Sequence, residues 1–134
     1  MRYWAPVFIW MAGISYFSSR SDPLDFLPSP GPGISVDRLA HIGEYAGLAA
    51  LLHRALTEQG RHGDRANPLG SVSPCLPVIA SVCLLFAIFD ELHQELTPGR
   101  SFELADIGYD LIGAIAALGL IWLRGREAGE QGPI

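Results

Sequence analysis

The chain has 134 residues, enough for a single domain, 1–134, and no more. Charged residues are 17% against 49% hydrophobic, and the mean hydropathy is +0.27. The charges gather at the junctions between long apolar stretches, which is the layout of a membrane protein rather than of a soluble bundle with one wet face per helix. The net charge of −5, with no lysine and no basic stripe, excludes a nucleic-acid partner.

The first apolar segment is "YWAPVFIWMAGISYF", residues 3–17, just after Arg2. It lacks the A-x-A-like site of a cleaved signal peptide, and Tyr3, Trp4 and Trp10 suit an anchored helix. A helix is expected over about 3–19. "SSRSDPLDFLPSPGPG" follows, and its prolines and glycines mark an irregular loop. The second segment, "LAHIGEYAGLAALL", predicts a helix over about 37–56. The polar "HRALTEQGRHGDRANPLGSVSP" after it reads as loop. The third, "CLPVIASVCLLFAIFDEL", predicts a helix over about 74–96. Its Cys75 and Cys83 would stand roughly 12 Å apart in a helix, too far for a disulfide. The fourth, "IGYDLIGAIAALGLIWL", predicts a helix over about 104–124, and "RGREAGEQGPI" reads as a polar tail.

Each apolar segment is shorter than the ~20 residues a span requires, so neighbouring residues must lengthen the helices. The expected fold is all-α, a four-helix transmembrane bundle. With four spans both termini share one side, which holds Arg2, Arg54, Arg61, Arg65, Arg124 and Arg126. The other side holds Arg20, Arg38 and Arg100. The positive-inside rule then makes both termini cytoplasmic. Gly43 and Gly47, beside Ala46 and Ala50, and Gly113 with Ala117 have small-xxx-small spacing, which permits close backbone packing within the chain.

That topology brings three polar clusters to the outer face. Segment two enters with "VDRLAHIGEY", segment three leaves with "DELHQE", and segment four enters with "ELADIGYD". Helical spacing puts Asp37, His41, Glu44 and Leu48 on one face of the second helix. Asp90, His93 and Gln94 share a face of the third, beside Glu91. Asp106, Asp110, Gly113 and Ala117 share a face of the fourth. Glu44, Asp90 and Asp110 are expected at similar depth, pointing into one water-accessible space. Arg38 and Arg100 would close its top, and His41, Arg38 and Arg100 are the nearest counter-charges for Asp90.

Carboxylates at membrane depth are costly unless paired or hydrated. Gluing helices together is the plain alternative use of such residues. Acids outnumber arginines and histidines here, and the surplus points to a proton, a cation or a cationic ligand group. Asp, Glu and His at a wet rim could hold Zn²⁺ or a harder ion, but there is no HExxH and no Cys/His spacing, so no metal and no other cofactor is assigned. Ser101 stands beside the cluster without a GxSxG elbow, and acid–base work by a Glu/His pair has no support from spacing. No catalytic residue is assigned.

At these residues the chain resembles the VanZ-like family of small bacterial membrane proteins. The resemblance rests on "FSS" after segment one, on Asp37, Arg38, His41, Tyr45 and Leu48 in the pattern D-R-x-x-H-x-x-x-Y-x-x-L, on "DELHQ" with "PGR", and on Asp106, Asp110 and Gly113. It covers most of the chain. It departs at Arg38, where the family commonly has Lys, and at Asp110, where it commonly has Asn. The resemblance implies a multi-pass protein of the bacterial inner membrane and a part in resistance to the glycopeptide teicoplanin.

The first reading is therefore a cell-envelope protein whose outer polar cavity binds a lipid- or glycopeptide-like ligand through Asp37, Arg38, His41, Glu44, Asp90, Glu91, His93, Gln94, Arg100, Asp106 and Asp110. A second is a structural or accessory subunit of a larger membrane complex. A third is a membrane enzyme acting on a lipid-linked substrate.

Overall fold

The computed structural model describes residues 2–21, 35–63 and 75–130. Among them there are four helices and no strand: α1 (Ala5–Ser18), α2 (Val36–Gly63), α3 (Cys75–Gln94) and α4 (Leu104–Glu130). α3, with mean hydropathy 2.1, and Leu104–Glu127 of α4, with 1.7, are long and apolar enough to cross a membrane. α1 is apolar but only 14 residues long.

Each helix buries a stripe at helical spacing. On α1 it is Val7, Ile14 and Ser18; on α2, His41, Tyr45, Leu48, Leu52 and Ala55. On α3 it runs Ile79, Cys83, Ala87, Asp90 and Gln94, and on α4 Asp106, Asp110, Ala114 and Leu118. All four of these stripes turn polar at one end. The opposite faces carry exposed Phe8, Ile9, Leu85, Phe89, Leu104 and Ile115, the surface of a body surrounded by hydrocarbon rather than water.

The helices run up and down. At one end Trp4 Nε1 donates to Gln59 Oε1 at 2.8 Å, tying the start of α1 to the last turns of α2. At the other, Ser21 Oγ donates to the Pro98 carbonyl at 2.8 Å, tying the chain after α1 to the turn between α3 and α4. In that turn Arg100 N donates to the Thr97 carbonyl at 3.1 Å, with Pro98 and Gly99 between them and Gly99 at φ 86°. Proline supplies the fixed first dihedral of a type II turn and glycine the left-handed second one, which reverses the chain from α3 into α4.

Glycine sets the helix separations. A Cβ on Gly113 would collide with the backbone carbonyl of Ile42, so α4 lies directly on α2 there. A Cβ on Gly47 would come within 2.7 Å of the Trp10 ring, whose Nε1 donates to the Glu44 carbonyl at 2.8 Å. Gly43 has nothing within 4 Å of such an atom, so the small-residue pair on α2 is used at one position only within the described residues.

Two expectations need correction. The loop expected after segment two does not begin at His53: α2 continues to Gly63. Leu52 and Ala55 extend the buried stripe, and Arg, Ala, Leu, Glu and Gln are good helix formers that no proline interrupts until Pro68. Likewise the residues after Leu123 are not a bare tail, since α4 runs on through Arg, Glu and Ala to Glu130. The proline-rich loop of residues 22–34, the stretch 64–74 and the last residues 131–134 lie outside the described residues.

Candidate functional site: a carboxylate-rich end of the bundle

The buried polar and charged residues are Ser18, His41, Asp90, Glu91, Gln94, Asp106 and Asp110. They lie at the end where α1 and α3 finish and α2 and α4 begin. Their arrangement resolves into two nodes.

The first joins α2 to α4. His41 Nδ1 lies 2.9 Å from Asp110 Oδ1, with both side chains buried. His41 Nε2 lies 4.0 Å from Asp37 Oδ2 and 3.9 Å from Asp106 Oδ2. Asp37 precedes His41 by one turn and is at the rim, with 36% of its side chain exposed. Arg100, from the turn after α3, closes over it, its Nη1 donating to Asp37 Oδ1 at 3.3 Å. The close approach at Gly113 is what brings α4 near enough for Asp110 to reach His41.

The second node joins α1 to α3. Ser18 Oγ donates to Asp90 Oδ2 at 2.6 Å, and Gln94 Nε2, one turn along, donates to the same oxygen at 3.3 Å. Sequence spacing put His41, Arg38 and Arg100 nearest Asp90, but the hydrogen bonds to Asp90 come instead from these neutral groups. Ser18 was not among the expected site residues. Its signal was the spacing from Val7 and Ile14, which puts it on the buried stripe of α1. Tyr45, one turn below His41, is also fully buried, with its hydroxyl unpartnered among the described residues.

Glu91 serves the turn into α4, its Oε2 accepting from the backbone N–H of Glu103 at 2.9 Å. Glu44 is half-buried and lines a cleft of about 270 Å³ beside α1, with Trp10, Ile14 and Phe17. Glu44, Asp90 and Asp110 thus have different immediate surroundings, and no hydrogen bond links them among the described residues. Arg38 lays its guanidinium over the Tyr109 ring at 5.5 Å. His93 stacks on Phe89 at 6.2 Å.

The charge balance is lopsided. His41 faces Asp37, Asp106 and Asp110, and Arg100 faces Asp37, at an end that also holds Glu44, Asp90 and Glu91. Three fully buried carboxylate oxygens, Asp90 Oδ1, Glu91 Oε1 and Asp110 Oδ2, have no hydrogen-bond partner among the described residues, and Arg100 Nε has none either. Such groups are expensive in a low-dielectric interior.

The model of the VanZ/LLP1 family matches residues 4–125, which takes in α1 to α3, most of α4 and both polar nodes. The chain belongs to the VanZ/LLP1 family. No curated protein and no solved structure matches it. Of the residues that carried the resemblance, Asp37, His41, Tyr45, Asp90, Glu91, Gln94, Arg100, Asp106 and Asp110 lie at the polar end of this VanZ-like bundle.

Proposed function

We propose that this VanZ-like protein is a multi-pass protein of the bacterial inner membrane, with both termini cytoplasmic, whose polar end faces outward and binds the polar head of a lipid- or glycopeptide-like ligand. The single observation that carries this reading is the set of fully buried carboxylate oxygens on Asp90, Glu91 and Asp110 that have no partner among the described residues, at one end of an otherwise apolar bundle. Polar residues that only glue helices satisfy one another. Here acceptors are left over, and they suit the donors of an amine, a hydroxyl or a bound cation. Arg100 suits the complementary part of a ligand, because a guanidinium fork matches a phosphate or carboxylate. The exposed apolar faces and the excess of arginine on the side of the termini support the orientation.

The resistance role implied by the family is part of the same proposal. It is tested by the teicoplanin susceptibility of cells producing wild-type protein or Arg100→Ala at equal membrane abundance. Protection by the wild type that Arg100→Ala loses is the expected result. If the wild type gives no protection, the resistance role falls.

A second reading, an accessory subunit of a larger membrane complex, draws on Gly43, which is exposed with open space about it on the small-residue face of α2. Close helix docking is what such a position permits. A partner retained at fixed stoichiometry through purification in mild detergent, and released by Gly43→Leu, would favour it.

A further inference from the structure

The α2–α4 node has the geometry of a cation site. A carboxylate only accepts hydrogen bonds, so the 2.9 Å contact between His41 Nδ1 and Asp110 Oδ1 holds the ring proton on Nδ1. A ring that gives up its other proton on binding a metal ion presents a lone pair on Nε2. That atom faces Asp37 Oδ2 at 4.0 Å and Asp106 Oδ2 at 3.9 Å, beyond hydrogen-bond reach of both. Ligands held about 2.0–2.2 Å from one Zn²⁺ ion stand about 3–4 Å from each other. Single donor atoms of Asp37, His41 and Asp106 all lie within 4.8 Å of one another.

A second observation is independent of that spacing. Asp110 and Glu91 are fully buried, and each keeps one carboxylate oxygen without a partner among the described residues. Glu91 is close enough to His41, Asp106 and Asp110 to interact with all three electrostatically. Buried carboxylates at this density, inside a bundle, suit a bound cation.

We infer that Asp37, His41 and Asp106 form a site for a divalent transition-metal ion of the Zn²⁺ class. Asp110 holds the imidazole in its ligating tautomer, the carboxylate–histidine–metal arrangement of outer-shell support. Glu91, buried nearby at the same end, adds negative charge. One imidazole with two carboxylates and no thiolate fits Zn²⁺ or Mn²⁺, whereas Ca²⁺ prefers a larger shell of oxygens. The ligands come from two helices, Asp37 and His41 one turn apart on α2 and Asp106 at the start of α4, so no contiguous zinc motif appears in the sequence.

The site is independent of which lipid or glycopeptide the polar end takes, and the test needs neither. The full chain, stripped with chelator in detergent, is titrated with Co²⁺ and then with Zn²⁺. Co²⁺ should bind one ion per chain and develop visible absorption bands, which Zn²⁺ should abolish by displacement. His41→Gln should lose the bands. Asp106→Asn should weaken binding about tenfold or more, and Asp110→Asn about tenfold to a hundredfold. Glu127→Gln, exposed near the far end of α4, should bind as the wild type does. Helical circular dichroism and a single elution peak establish that each variant is folded. If His41→Gln does not fold, the isosteric Asp106→Asn decides. No stoichiometric binding by the wild type overturns the inference, and so does undiminished binding by a folded His41→Gln or Asp106→Asn.

Discussion

The two polar nodes share one end of the bundle and differ in how their charge is met. In the α1–α3 node, Asp90 accepts at 2.6 Å from Ser18 and at 3.3 Å from Gln94, short contacts to neutral donors across a helix interface. In the α2–α4 node one face of His41 is held at 2.9 Å, while the other looks onto two carboxylates at 3.9 and 4.0 Å. The first is a hydrogen-bonded joint through Asp90 Oδ2, with Asp90 Oδ1 left over among the described residues. The second leaves His41 Nε2 beyond hydrogen-bond reach of two carboxylates, the room in which we infer an ion. One cluster meets a carboxylate with neutral hydroxyl and amide donors, and the other sets a histidine among three carboxylates, so residue type and distance both distinguish them.

The comparison can be broken most severely at Gly113. Gly113→Ala drives a methyl into the Ile42 carbonyl and must part α2 from α4. We expect a loss of about 1–3 kcal/mol of stability, or failure to assemble, read by thermal unfolding in detergent. Gly43→Ala, with open space around it, should be neutral or slightly stabilising in the same assay. Equal effects of the two would mean that the α2–α4 approach is looser than described.

The α1–α3 joint is probed by Ser18→Ala, which leaves a buried Asp90 oxygen with a weaker donor. The expected cost is about 1–3 kcal/mol in unfolding, with Co²⁺ binding unchanged. Asp90→Asn should cost less, since an amide oxygen still accepts from Ser18. A Ser18→Ala variant that loses ion binding would merge the two nodes into one.

A smaller effect is expected in the turn above them. Gly99 has φ 86°, so Gly99→Ala should cost about 1 kcal/mol and loosen Arg100 over Asp37. Arg100→Ala removes the cation at the half-buried rim and should impair ligand retention. Arg20→Ala, whose guanidinium bonds Tyr16 at the surface, should not. Orientation is checked without affecting either node. In a background lacking Cys75 and Cys83, a cysteine at Ser29 should react with an impermeant thiol reagent on intact cells and one at Glu127 should not.

The fold and the polar end were legible in the sequence to different depths, for physical reasons. Helical period and the Pro98–Gly99 pair located the four helices and the turn, because apolar spacing and left-handed glycine are local signals. The end of α2 was not legible. Beyond His53 the apolar pattern thins, and burial of Ala55 against the rest of the bundle is a tertiary fact. Facing explains why His41 meets Asp110, since i, i+4 spacing puts Asp37 and His41 on one side of α2. Partnership was harder. Nothing local says that Asp90 turns to Ser18 on α1 rather than to His41 on α2, because two helices compete for the same face of α3. Ser18, a small hydroxyl at a helix end, was signalled by its place on the stripe and by the "FSS" of the family resemblance, neither of which names its partner.

The central claim is that the polar end holds a ligand rather than merely joining helices. Native mass spectrometry of the protein released from mild detergent reads this directly. The account predicts that the wild type carries a lipid- or glycopeptide-sized adduct, lost when Asp37→Asn and Arg100→Ala are combined and kept in Ser18→Ala. A wild-type chain that flies bare, or an adduct indifferent to Asp37 and Arg100, would contradict it.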